Sequence, residues 1–145
     1  MMGLGRGSPM ISVDAARQLA AAGLEWTPAE GDTFMIPDTG MERRVFIVSE
    51  LTTLIQPFAG VQHITFHGTS EWALDHIMVR DAVWLPSETQ LRLALEEHLP
   101  DRAFVLERGP EGYHCLIPFI EGNGRSYPTA EDAYAAALLH ILQTW

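Results

Sequence analysis

The chain has 145 residues and carries 9 basic side chains against 19 acidic ones, a formal net charge of −10 at pH 7. Every basic residue is Arg, and Lys is absent. Lysine Schiff-base chemistry is therefore excluded, and so is a Walker A phosphate loop, which needs its Lys. The acid surplus repels phosphate backbones and opposes sequence-independent nucleic-acid binding.

Hydrophobic residues make up 47% of the chain and charged ones 19%, which is enough apolar material for one packed core. A lone cysteine, Cys115, allows no internal disulfide, so nothing points to secretion. No apolar run approaches the roughly 20 residues of a membrane span. Residues 1–9 read as a flexible tail, and 10–145 as a single domain in the cytoplasm.

Ser12 ahead of Val13, Ala16, Leu19 and Ala20, with Gly23 after them, predicts a capped helix over about 13–22. Thr33 to Ile36 reads as a short strand. The runs Val45–Ser49, Thr52–Phe58 and Val61–His67 are β-branched and aromatic-rich, and predict three more strands. Glu71–Ile77 has helical apolar spacing and predicts a short helix. Ala82–Leu85 reads either as a strand end or as a packed loop.

Ser87 with Gln90 three residues later forms a capping box, and Leu91, Leu95 and Leu99 continue it at helical spacing up to Pro100. Ala103–Arg108 and Tyr113–Phe119 predict a hairpin around Gly109–Gly112. Its second arm puts Tyr113, Cys115, Ile117 and Phe119 on one face. Thr129, with Asp132 at N3, caps a last helix over about 130–143. Consecutive strands joined by short turns favour antiparallel pairing, so the expected class is α+β, a single domain with an antiparallel sheet packed with about three helices.

The runs Ile11-Ser12-Val13, Gly23-Leu24-Glu25-Trp26-Thr27-Pro28, Glu71-Trp72-Ala73-Leu74-Asp75 and Trp84-Leu85-Pro86, followed by Gln90-Leu91-Arg92, carry a resemblance. Together they resemble a group of short bacterial chains from high-GC genomes labelled pilus assembly protein CpaE. The resemblance covers nearly the whole chain and implies an ordinary start near Met10. That label implies kinship with MinD-type ATPases, whose phosphate loop depends on Lys. No position here matches that loop, so the resemblance carries over no ATPase residue.

His63 and His67 have the spacing of a helical zinc pair, but Ile64 and Phe66 argue a strand, where i and i+4 lie about 13 Å apart. The densest titratable cluster is His67, Glu71, Asp75 and His76. On a helix Glu71 and Asp75 would be like-charged neighbours, able to raise one carboxyl pKa or simply to form a solvated face. Trp72 and Trp84 could wall a pocket beside them or serve as core. These six residues are the candidate binding set.

Asp32, Asp38 and Glu42 read as turn chemistry, since their spacing is not that of an EF-hand. Arg43-Arg44 would pair with those acids. Cys115 reads as a buried hydrophobe with His114 pointing away from it. No catalytic residue, metal ligand or cofactor is assigned.

Three functions follow. The first is a non-catalytic binding or adaptor module that takes a protein partner or self-associates, with Trp145 packed on the core or offered to that partner. The second is an acidic protein that neutralises a basic one, as immunity and antitoxin proteins do, helped by charge steering. The third is a metal-dependent enzyme built on His67–His76. Neither nucleic acid nor membrane is an expected partner.

Overall fold

The computed structural model describes residues 10–36, 45–48, 53–58, 61–66, 76–78, 82–118, 120 and 125–144, with the backbone alone for 53–58, 61–66 and 76–78. Eleven elements run along these described residues. They are α1 (Val13–Ala21), β1 (Thr33–Met35), β2 (Val45–Ile47), β3 (Thr53–Phe58), β4 (Val61–Phe66) and β5 (His76–Met78). After them come β6 (Val83–Trp84), α2 (Glu88–His98), β7 (Val105–Gly109), β8 (Gly112–Leu116) and α3 (Ala130–Thr144). The architecture is α+β, and every described strand pair is antiparallel. The described residues fall into two compact units. The middle unit takes those between Trp26 and Trp84; the terminal unit takes 10–25 and 85–144.

The expected α+β class is present, and among the described residues its antiparallel strands form three small sheets. Two are three-stranded, ordered β2-β1-β6 and β3-β4-β5, and the third is the β7-β8 hairpin. In the first, β1 is central, with Phe34 opposite both Phe46 and Trp84. Phe34 is wholly buried there. In the second, β3 lies at an edge and carries Pro57 opposite Gln62. A proline cannot donate to a second neighbour, so its position suits an edge strand.

In the terminal unit α3 packs on α1, on α2 and on the β7-β8 hairpin. Its sequence explains this, because Ala130, Ala133, Tyr134, Ala135, Ala137, Leu138 and Ile141 are all buried and form a wide apolar face. A helix with so wide an apolar face must be covered on several sides. The alanines let neighbouring backbones come close. α2 contributes Leu91 and Leu95, one turn apart and fully buried, and α1 contributes Ala16 and Leu19. The helices thus bury much of their apolar surface on one another, where the sequence placed them on a sheet.

The caps are as the residues require. The Ser12 hydroxyl accepts from the Ala15 N–H at 3.2 Å, and Gly23 ends α1 with φ +106°. Ser87 and Gln90 make the reciprocal capping box at 3.1 and 2.9 Å. Thr129 Oγ1 accepts from the Asp132 N–H at 3.1 Å. Among the described residues no helix is long and apolar enough to cross a membrane.

Candidate functional site

Of the expected cluster, the described residues include only His76 and Trp84. His67, Glu71, Trp72 and Asp75 lie outside the described residues, as do Asp38, Glu42, Arg43, Arg44, Phe119, Trp145 and the segment 1–9. His76 is described, and it corrects the sequence reading: residues 76–78 are a strand paired with β4, with His76 opposite Thr65. The apolar spacing of Trp72, Ala73 and Ile77 mimicked a helix. A three-residue edge strand is too short to show a period of its own, and its partner decides it.

Trp84 is placed in β6, opposite Phe34. It belongs to an aromatic stack, lying 6.2 Å from Trp26 with the two planes 6° apart. Phe34 follows at 5.6 Å from Trp26, and Phe46 at 5.6 Å from Phe34. The Trp26 indole N–H donates to Asp32 Oδ2 at 2.9 Å, and the Ala29 N–H donates to the same oxygen at 3.0 Å. Asp32 is 7% exposed, so this carboxylate ties a turn to the aromatic core. The turn chemistry expected of Asp32 is present.

Among the described residues, an open groove of about 430 Å³ lies in the terminal unit, between α1 and α3. One wall is α1, with Asp14, Ala15 and Gln18. Opposite are α3 residues, among them Ala133, Ala136 and His140. Cys115 and Ile117 close the floor, and Arg125 and Tyr127 stand at the rim.

Each side chain is held by a local reason. The Arg125–Tyr127 segment is pinned to β8 by two backbone hydrogen bonds, Tyr113 N–H to Tyr127 O at 2.8 Å and Tyr127 N–H to Tyr113 O at 2.7 Å. Gly112 permits this approach: it sits at φ +122°, and a Cβ there would run into the Tyr127 carbonyl oxygen. The Arg125 guanidinium carbon lies 5.6 Å from the centre of the Tyr127 ring. Such stacking holds a cation over an aromatic face.

The two helix N-termini meet at one end of the groove. The Ser12 N–H donates to Asp132 Oδ1 at 2.8 Å, across 120 positions of sequence. Asp14 in the first turn of α1, and Glu131 and Asp132 in that of α3, offset the positive helix ends. Asp14 Oδ2 accepts from Gln18 Nε2 at 2.9 Å. Burial pushes the Cys115 thiol from 9.0 up to about 11, so it stays neutral on the floor at physiological pH. It lies where the sequence reading put it, as a buried hydrophobe. His114 Nε2 faces Glu107 Oε1 across the hairpin at 3.8 Å.

Sequence reasoning passed over the groove residues. Asp132 reads as a helix cap, and no motif singles out Arg125. Neither carries a local pattern that ties it to α1. The caps at Ser12 and Thr129 were the only signal that the two helices had matching ends. Among the described residues no three His, Cys, Asp or Glu converge to hold a metal.

Comparison with known proteins returns no match: no family model fits the chain, and no curated protein or solved structure is similar to it.

Proposed function

We propose that the chain is a non-catalytic binding or adaptor module, and that its recognition surface is the α1–α3 groove. The observation that carries this reading is the groove itself. It combines about 430 Å³ of concave space with a partly apolar floor and a few fixed polar groups at its rim. That composition is typical of recognition sites. The lone, buried, protonated Cys115 supports binding over nucleophilic chemistry, because a neutral thiol is a poor nucleophile. The same single-cysteine usage underlies a cytoplasmic assignment.

The test fills the groove. Ala136→Trp places an indole among its lining residues. A partner retained by the parent chain, and by a Val105→Ser control outside the groove, is expected to be lost from the filled variant. Equal retention by all three would overturn the reading.

One observation favours a second reading, neutralisation of a basic partner. The chain carries a net charge of −10, and α2 presents Glu97, and Glu96 paired with Arg92, beside Leu93, which is 51% exposed. Association through this face would weaken steeply as salt rises. Binding in the groove would depend on salt far less.

A further inference from the structure

The groove walls carry one permanent cation and two carboxylates that do not neutralise one another. Arg125 forms no ion pair among the described residues and has only the Tyr127 ring beneath it. Asp14 and Asp132 each spend one oxygen, on Gln18 Nε2 and on the Ser12 N–H. Each keeps its other oxygen without a partner among the described residues. Between these charges the floor is Ile117 and the neutral Cys115, with Ala133 and Ala137 beside them.

Charge selects the ligand. A simple anion would suit Arg125 but would face two carboxylates and a chain of net charge −10. A simple cation would suit the carboxylates and leave Arg125 unused. A zwitterion answers both ends, and the long-range field of the protein exerts no net force on it. A small apolar body then covers the floor. The groove volume, about 430 Å³, lies in the range of small-ligand sites, roughly 300–1,000 Å³.

We infer that the α1–α3 groove binds a small zwitterion of dipeptide size, its carboxylate on Arg125 and its ammonium on Asp14. The assignment rests on the binding-module reading and names the ligand class of the same groove. Arg125 supplies the planar fork that matches a carboxylate in two parallel hydrogen bonds. Asp14 supplies the free oxygen from the α1 wall. Asp132 is held by the Ser12 N–H and sets the distance between the two helices.

The experiment is a heteronuclear NMR titration of the full chain with three probes of one shape. These are glycyl-phenylalanine, its C-terminal amide, which lacks the carboxylate, and its N-acetyl form, which lacks the ammonium. The free dipeptide is expected to shift the resonances of Ala133, Ala136 and Tyr127. Each blocked probe is expected to bind roughly 10-fold or more weakly, the loss of one charge-assisted hydrogen-bonded contact. Arg125→Gln should abolish the difference between dipeptide and amide while keeping the difference between dipeptide and N-acetyl form. Asp14→Asn should do the reverse. Both positions are exposed, and the carboxamide of Asp14→Asn retains an oxygen for Gln18, so dispersed spectra are expected from both variants.

Equal binding of all three probes would overturn the zwitterion. So would an Arg125→Gln loss that is the same for acid and amide, or the absence of any shift in the groove. Such a result leaves the groove-filling test untouched. If Ala136→Trp still releases a partner, the binding module stands and only its ligand class falls.

Discussion

The middle and terminal units are built on different physical principles. The terminal unit is organised by signals only a few residues long. Ser12, Ser87 and Thr129 each cap a helix through a hydrogen bond three positions away. Those helices then bury regular stripes around α3. The middle unit also depends on a pairing that no short window contains. Its β1 is three residues long and gains its neighbour β6 from across 48 or more positions, Phe34 to Trp84 and Met35 to Val83. Stability there depends on an aromatic stack and on one buried carboxylate. The contrast teaches that capped helices carry their own addresses, whereas short strands borrow theirs from partners.

Substitutions can break this contrast, beginning with the largest expected effect. Leu138→Ala empties a fully buried position at the centre of α3, where α1, α2 and the hairpin meet. It should cost about 2–5 kcal/mol in urea denaturation followed by far-UV circular dichroism. A cost under about 1 kcal/mol would mean that α3 is not the hub of its unit. Gly112→Ala comes next. It imposes a left-handed backbone on a side-chain-bearing residue and drives a Cβ into the Tyr127 carbonyl, so roughly 2–3 kcal/mol should be lost. The Arg125–Tyr127 rim of the groove should move with it, visible as shifted Tyr127 resonances.

Asp32→Ala tests the middle unit. It removes the acceptor of both the Trp26 indole N–H and the Ala29 N–H, and should cost about 1–3 kcal/mol. Indole N–H exchange at Trp26 should rise sharply while the α2 amides keep their protection. Equal loss of protection in both units would show that the two unfold as one. Ser87→Ala removes a local cap and should cost about 1 kcal/mol, with fraying confined to the first turn of α2.

The smallest effect at neutral pH comes from Cys115. Its thiol titrates at about 11 when folded and near 9.0 when free, so between those values the unfolded chain holds fewer protons than the folded one. This contribution is fully present below pH 9 and is lost as pH rises toward 11. Burial also raises the Tyr134 phenol, with Cys115 adding to the shift, and the same sign applies at higher pH. Alkaline titration of denaturation midpoints should show that decline, and Cys115→Ala should flatten it.

Much of the terminal unit was legible before any coordinates. The limits of α1, α2 and α3 and the position of the hairpin follow from caps, apolar periodicity and glycine turns. The burial of Cys115 follows from strand alternation. The candidate site was not legible in this way. His76 sits in a strand because β4 pairs with it, though the apolar spacing around it is helical. Trp84 stacks on Trp26, which no local pattern links to it. The groove was invisible because its defining contact, Ser12 to Asp132, spans 120 positions and uses a carboxylate already explained as a helix cap.

By itself the sequence determined the chemical limits of the protein. Without Lys, this chain can supply neither the lysine of a Walker A loop nor a lysine Schiff base. It also determined the helices, because a cap and a 3.6-residue period act within one or two turns of chain. Tertiary structure alone decided that β6 pairs with β1, how α3 is covered, and that Arg125, Asp14 and Asp132 border one groove. Those outcomes depend on bringing distant segments together. That step is governed by burial and backbone pairing across the whole chain, and no short stretch of residues encodes it.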